Sequence, residues 1–403
     1  MSPLLPVDEA VARVIVGTQP LPSDFVSLAE AAGRTLAEPL KARRTQPPFD
    51  ASSMDGYAVR AADVVTVPAT LNVVGMSAAG RRFDGTVGAN QAVRIFTGAP
   101  LPQGADSVLI QENAEAHADG TVTAKQSTAA GRHIRHAGLD FRENAVLLDA
   151  GRTLGMRELA LAAAAGHGHL PVRRRPLVAI VATGDELVAP GGVPAPDQIF
   201  AASSPGLAAY VQALGGEPRD LGIVHDDRMA ITRTVRQALA LPADVVLTIG
   251  GASVGDHDLV QASLTEAGLT LDFWRIAMRP GKPLMFGRID ETRVLGLPGN
   301  PVSSLVCAIL FLRPLIAALL GQPQRDPTES ARLGGDLPEN DARQDHVRAR
   351  LATRRGELPS AIPLPVQDSS MLGVLATADC LIVRPPHAPA AQAGDRCRII
   401  PLP

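Results

Sequence analysis

Cysteine is scarce and scattered. The 403 residues hold three, Cys307, Cys380 and Cys397, an odd number at wide spacing that excludes a disulfide framework and a zinc site built on paired cysteines. Cys307 falls in an apolar helical run, where it is expected to act as a small buried hydrophobe. Aromatic residues make up 3% of the chain, too few for a stacking platform or a Met/aromatic cofactor stripe. Net charge is −3 and no basic face accompanies it, so no nucleic-acid partner is expected. A basic leader is missing too. Asp8 and Glu9 come early, so the N-terminus does not read as a secretory signal. Arg313-Pro314 cuts the most apolar helix to a run too short for a bilayer. The expectation is a cytoplasmic protein with no membrane partner.

Two further features read as ordinary structure. The Gly-His-Gly-His piece with His167 and His169 sits at a helix end, where imidazolium suits the dipole better than a metal. His133 and His136 add no ligand spacing. The Arg173-Arg174-Arg175 run reads as a solvated linker.

At 46% hydrophobic, a chain of this length buries large cores and should hold several domains. Residues 6–16 and 27–40 read as helices, which Arg43-Arg44 and Pro47-Pro48 terminate; with 140–174 they form an extended helical linker domain over 1–45 and 140–174. Residues 46–139 alternate short β-type runs with Gly turns and form a β-rich inserted domain. An α/β domain spans 175–322, the Pro-bounded stretch 322–327 is a linker, and 327–403 is a small C-terminal β domain. The fold class expected is therefore multidomain α/β and β, around a central, doubly wound and mostly parallel sheet.

That sheet carries the chemistry. An unbroken Val-Val-Leu-Thr-Ile run at 245–249 suits a strand covered on both faces, and Gly250, Gly251 and Gly255 let the backbone turn and approach a ligand. Asp256 and Asp258 then fall outside the carboxyl end of the strand, where ligands of open α/β sheets gather. Two more strands behave alike. Residues 178–182 end in Thr183-Gly184-Asp185-Glu186, and 221–224 end in His225-Asp226-Asp227. Helical segments between them, 207–214 and 229–239, complete a βαβ alternation. Any one Asp here reads equally as a helix cap or a solvated loop charge. Six carboxylates on one rim repel one another unless a cation relieves them, which points to a divalent metal, magnesium above all, shared with phosphate oxygens.

Counter-charge follows in Arg275 and in Arg279-Pro280-Gly281-Lys282-Pro283, a loop whose two prolines reduce the entropy lost on binding an anion. Leu297-Pro298-Gly299-Asn300-Pro301-Val302-Ser303-Ser304 then opens an apolar helix that runs to about residue 320. Pro301 suits the first helical position, and free N–H groups at such a start attract an oxyanion. A phosphate ester is the substrate class these features describe.

Six motifs in order carry a resemblance: Pro47-Pro48-Phe49-Asp50 leading to Met54-Asp55-Gly56-Tyr57-Ala58; Phe96-Thr97-Gly98-Ala99-Pro100; Thr183-Gly184-Asp185-Glu186-Leu187; Gly250-Gly251-Ala252-Ser253-Val254-Gly255-Asp256; Arg279-Pro280-Gly281-Lys282-Pro283; and Gly296-Leu297-Pro298-Gly299-Asn300-Pro301. Together they cover nearly the whole chain, which resembles the molybdopterin molybdenumtransferase family, a family that includes the C-terminal part of gephyrin. The resemblance implies that adenylylated molybdopterin and molybdate enter, magnesium assists cleavage of the adenylate, and AMP leaves. It maps metal and substrate acids onto Glu186, Asp226 and Asp258, with Asp185 and Asp256 beside them. Pterin and phosphate contacts map onto Arg279, Lys282, Pro298, Pro301 and Ser303, and a substrate-side pair onto Ser369 and Ser370. Asp55, Thr97, Arg135 and Asp140 come from another lobe, which the family brings to the site across a homodimer interface. Asp55, Glu186, Asp226 and Asp258 are the candidate catalytic carboxylates.

Arg275 stands where the family often has Lys and is the candidate for molybdate, keeping the charge with a different donor geometry. Ala201 and Ala202 replace a common polar pair, with Ser203 as the substitute donor, and His257 replaces an aromatic. None of these removes a carboxylate, so activity is expected. Two alternatives are a molybdopterin adenylyltransferase, which would consume ATP and would not need the motifs between Pro47 and Pro100, and a non-enzymatic scaffold of the same fold, which an exposed apolar patch on the C-terminal domain would favour.

Overall fold

The computed structural model of the protein describes residues 4–251 and 259–403. At its centre lies a six-stranded sheet in the order Glu217–Val224, Leu177–Thr183, Val245–Ile249, Thr292–Leu297, Met285–Ile289, Thr270–Trp274. The first four strands are parallel, the fifth is antiparallel to both its neighbours, and the sixth runs in the direction of the first four. Period-two alternation divides its side chains between two cores. Val178, Ile180, Leu247 and Ile249 face one, with Leu207 and Val211 of the helix Ser203–Ala213. Ala179, Val181 and Val246 face the other, with Ile231, Val235 and Ala238 of the helix Arg228–Ala240 and Val260 and Leu264 of the helix Leu259–Glu266. Helices thus cover both faces, as the sequence of Val, Leu and Ile runs requires.

The first helix, Val7–Ile15, forms where expected. Val7, Ala10 and Val14 make an apolar stripe at helical spacing that joins the core of the central sheet. Leu5 bridges Ile276, and its carbonyl accepts from the Ala277 N–H at 2.8 Å. The second expected helix, 27–40, does not exist. The stretch begins in the strand Ser23–Ser27, which pairs antiparallel with His169–Arg173, and continues in turns with Gly33 at φ 71°. Leu28, Ala31, Leu36 and Leu40 still pack together, but against Leu154, Ala162, Leu170 and Val172. Their helix-like spacing serves a chain pinned from outside, with the Leu36 N–H donating to the Arg152 carbonyl. Within 140–174 the helix is shorter than the segment, Met156–Ala164.

Nor is the arginine run a solvated linker. Arg173 donates to the carbonyls of Leu21 and Ala37, and Arg174 grips both oxygens of Asp244 at 2.7 and 3.0 Å. Asp244 also accepts from the Leu177 N–H at 2.7 Å. Charge here stitches the N-terminal segment to the starts of two interior strands of the sheet.

The long apolar helix also differs from expectation. Arg313-Pro314 does not end it: Pro301–Cys307 passes through a wide π-turn at Ala308–Leu312 into Arg313–Leu319. Pro removes a ladder hydrogen bond, and the wide turn just before it absorbs the irregularity. The resulting 19-residue helix is long and apolar enough to cross a membrane, yet 72% of its apolar window is buried inside the protein. It is the core helix on one face of the sheet. Cys307 lies in it, wholly buried, and burial pushes its thiol pKa up.

Residues downstream of Asp50 form a second six-stranded sheet, in the order Ser107–Ile110, Gly56–Val59, Gln91–Ile95, Ala69–Ser77, Thr121–Ala124, Ala114–Ala116. The C-terminal strands close on themselves. Gln344–Ala352, Ser360–Pro363, Glu329–Leu333, Arg396–Pro401 and Cys380–Arg384 follow in hydrogen-bonded order, and the last returns to Gln344–Ala352. Around Ala331, Val347, Ala349, Ile382 and Ile399 they form a small barrel. The short strand Met278–Arg279 adds to its edge, parallel to Gln344–Ala352. Through that strand the cation loop of the sheet domain becomes part of the C-terminal domain.

Candidate functional site

The parallel strands deliver their carboxylates where their ends turn. Gly250 and Gly251 follow Val245–Ile249 at φ 92° and 63°. A Cβ would stand 2.5 Å from the Thr183 carbonyl at Gly250 and 2.0 Å from Val260 Cγ2 at Gly251. The turn therefore needs glycine for both conformation and space. Beyond the neighbouring strand ends, Asp185 Oδ1 accepts the Asp226 N–H at 3.2 Å and lies 3.0 Å from His225 Nδ1. These two contacts hold the Asp185 pKa below the usual carboxylate range. Asp226 moves the other way: burial raises it, and the charges of Asp185 and Glu186 raise it further.

The rim is smaller than the sequence suggests. Asp227 is a helix cap, its Oδ1 accepting the Ala230 N–H at 2.7 Å, so the structural role wins at that position. Asp256 and Asp258 lie outside the described residues. Asp185, Glu186 and Asp226 remain as one electrostatic group, but among the described residues no three such side chains are close enough to hold a metal ion.

The cations occupy the seam between the sheet domain and the barrel. Arg275, at φ 95°, lays its guanidinium over the Trp274 ring at 5.3 Å, with Nε buried and without a partner. Arg279 is engaged by two carboxylates of the barrel. Its Nη2 lies 2.5 Å from Asp345 Oδ2 and its Nη1 3.7 Å from Asp341 Oδ2. Lys282 is exposed and has no side-chain partner among the described residues.

The helix start is partly filled as well. The Val302 N–H donates to the Ser369 carbonyl at 3.1 Å, and Asn300 Nδ2 donates to Ser369 Oγ at 3.0 Å. One N–H that the sequence reading left for an oxyanion is thus capped by the C-terminal domain. Pro298 and Ser303 are buried and Pro301 is the first helical residue. Ser203 does not replace a missing substrate donor: it is buried, with its Oγ 3.0 Å from Ser304 Oγ. Ser370 turns its N–H and hydroxyl onto Asp368 Oδ1.

Two residues of this seam escaped the sequence reading. Arg348, on the barrel strand Gln344–Ala352, is 1% exposed, and among the described residues none of its three guanidinium nitrogens has a hydrogen-bond partner. Burial lowers its pKa, while Asp345 and Asp368 act on it from a distance. A buried guanidinium without partners is costly unless something anionic completes it. Asp345 is the other. The signal was present in His346-Val347-Arg348-Ala349, where charged and apolar residues alternate in a strand that buries both faces.

The remaining candidates sit in the inserted domain. Asp55 accepts from the N–H and the hydroxyl of Thr97, both at 2.8 Å, and these bonds hold its pKa low. Arg94 is stacked 5.0 Å from both the Tyr57 and Phe96 rings and donates to the Gly56 carbonyl. Asp55 and Thr97 are therefore brought together. Arg135, on a two-residue strand paired with Ala51–Ser52, and Asp140 are both exposed. Among the described residues no hydrogen bond or ion pair joins these four side chains to the sheet domain.

A parallel-sheet domain with an acidic rim, a cationic seam and a proline-led helix start defines a protein that handles anionic esters of the nucleotide type. Comparison with known proteins is more specific. Residues 5–166 match the MoeA N-terminal region (domain I and II), 179–318 a probable molybdopterin binding domain, and 330–402 the MoeA C-terminal region (domain IV). A molybdopterin molybdenumtransferase of Haemophilus influenzae is 34% identical, with 99% of each chain covered. One from Bacillus subtilis is 32% identical over 98% of this chain and 94% of its own. The crystal structure of a molybdopterin biosynthesis protein from Pyrococcus horikosii superposes with a TM-score of 0.85 at 29% identity, covering 99% of both chains. The chain belongs to the molybdopterin molybdenumtransferase family.

Proposed function

We propose that this transferase of molybdenum cofactor biosynthesis inserts molybdenum from molybdate into adenylylated molybdopterin and releases AMP. The observation that carries the reading is the seam, where a buried guanidinium without partners, Arg348, stands on the strand that anchors Arg279. A dianion such as molybdate held at the seam would offset that charge. Lys282 and the residues at the start of the Pro301–Cys307 helix are placed to meet the substrate phosphate.

Magnesium fits the rim as a shared ion. Asp226 and Glu186, with Asp185 beside them, carry excess negative charge, and magnesium takes one or two carboxylates with waters and substrate oxygens rather than a closed protein cage. Asp256 and Asp258 remain candidate ligands on the sequence reading. When bound, the ion neutralises charge developing on the leaving phosphate. The protein's own part is to orient the ester between rim and seam.

Among the described residues no hydrogen bond or ion pair joins Asp55, Thr97, Arg135 or Asp140 to the sheet domain, which supports a homodimer in which they complete the partner's site. Burial of the long apolar helix Pro301–Leu319 inside the core fits the soluble, cytoplasmic enzyme of this reading. The test is incubation with adenylylated molybdopterin, magnesium and molybdate. AMP release that depends on both ions is expected. Consumption of ATP in place of AMP release would move the protein one step earlier, to adenylylation.

A further inference from the structure

Of the two carboxylates paired with Arg279 among the described residues, Asp345 at 2.5 Å is held closer than Asp341 at 3.7 Å. Arg279 and Asp345 are locked by backbone as well as charge: they are register partners in the parallel pairing of Met278–Arg279 with Gln344–Ala352, and the Gln344 N–H donates to the Ala277 carbonyl at 2.8 Å. Asp345 is sheltered, with its side chain 15% exposed, whereas that of Arg279 is 47% exposed. One edge of the guanidinium is therefore turned inward onto the carboxylate, and the rest faces outward. Arginine presents five N–H donors in a rigid fork, so it can serve Asp345 and a second anion together.

We infer that Asp345 is a positioning residue for the oxyanion site of the seam, fixing Arg279 at its edge and offsetting the positive charge there so that bound molybdate is held loosely enough to be passed on to the pterin dithiolene. This rests on the functional reading above. Without Asp345, the charges of Arg279, Lys282 and Arg348 would act on the anion with only the half-exposed Asp341, already paired with Arg343 at 2.6 Å, and Asp368, which Ser370 engages, to oppose them. The anion would bind more tightly and pass less readily to the pterin.

The test uses the full-length protein, with binding of molybdate alone followed by calorimetry and AMP release followed at steady state. Asp345→Asn should bind molybdate about tenfold more tightly, lower the KM for molybdate by a similar factor and lower kcat, with added salt shrinking the difference. Asp345→Glu should restore values close to the unsubstituted protein. Molybdate affinity that is unchanged or weaker in Asp345→Asn overturns the role and leaves Asp345 a domain staple. Should that variant not fold, Arg279→Lys gives the reading: an ammonium lacks the second fixed edge, so the KM for molybdate should rise about tenfold, and an unchanged KM overturns the role. Failure of the unsubstituted protein both to bind molybdate and to release AMP overturns the functional reading and this role with it.

Discussion

His346 and Arg348 stand two residues apart on one face of a barrel strand, and both are buried. Burial, against a weaker pull from Asp345, lowers the His346 pKa from 6.5 to about 4. The unfolded chain therefore takes up a proton that the folded protein refuses. Stability from this residue is complete above pH 6.5 and falls as pH drops from there through 4, by roughly 3 kcal/mol in all. Denaturant midpoints between pH 7 and 4 should show this slope, and His346→Asn should flatten it; an equal slope in both proteins would place the proton elsewhere. Asp226 tests the rim. Its charge is raised in energy by burial and by Asp185 and Glu186, so Asp226→Ala should leave the thermal midpoint unchanged or slightly higher while abolishing ion-dependent AMP release. Full turnover by that variant would remove Asp226 from the metal and substrate set.

Among elements, those with one cause were legible and those with two were not. Leu177–Thr183 and Val245–Ile249 could be read because burial on both faces demands an uninterrupted apolar run, and their glycine-bounded ends followed from it. Arg174 was misread because a run of three charges looks alike whether it meets water or Asp244. Residues 27–40 were misread because partners 110 or more positions away, such as Arg152 and Val172, fix a turn whose apolar spacing imitates a helix. Arg348 was missed for a related reason: the alternation His346-Val347-Arg348-Ala349 looks the same whether the charged face meets water or is buried, and here both faces are buried. The turn after Val245–Ile249 yields a sharp test. Gly251→Ala forces a β-carbon against Val260 at a left-handed φ, and should cost about 1–3 kcal/mol. The double variant with Val260→Ala should lose less than the sum of the two single losses. Strict additivity, measured by denaturant unfolding, would show that the Val260 side chain is not what the new methyl meets.

At the scale of the whole molecule, half of the motif set stands apart from the other half. Asp55 and Thr97 are bonded to each other in the inserted domain, whereas Glu186, Asp226, Arg279 and Lys282 belong to the sheet domain and its seam. In the homodimer proposed above, two-fold symmetry would supply each half with its complement, because whatever one copy lends to its partner it receives in return. Subunit mixing examines this directly. Asp55→Asn and Asp226→Ala should each be inactive alone. Unfolded together and refolded, they should form mixed dimers in which one site carries both substitutions and the other neither. Random pairing makes half of all dimers mixed, so AMP release should recover to about a quarter of that of the unsubstituted protein. If the two halves instead met within one chain, every site would keep one lesion, and the mixture would stay as inactive as its parents.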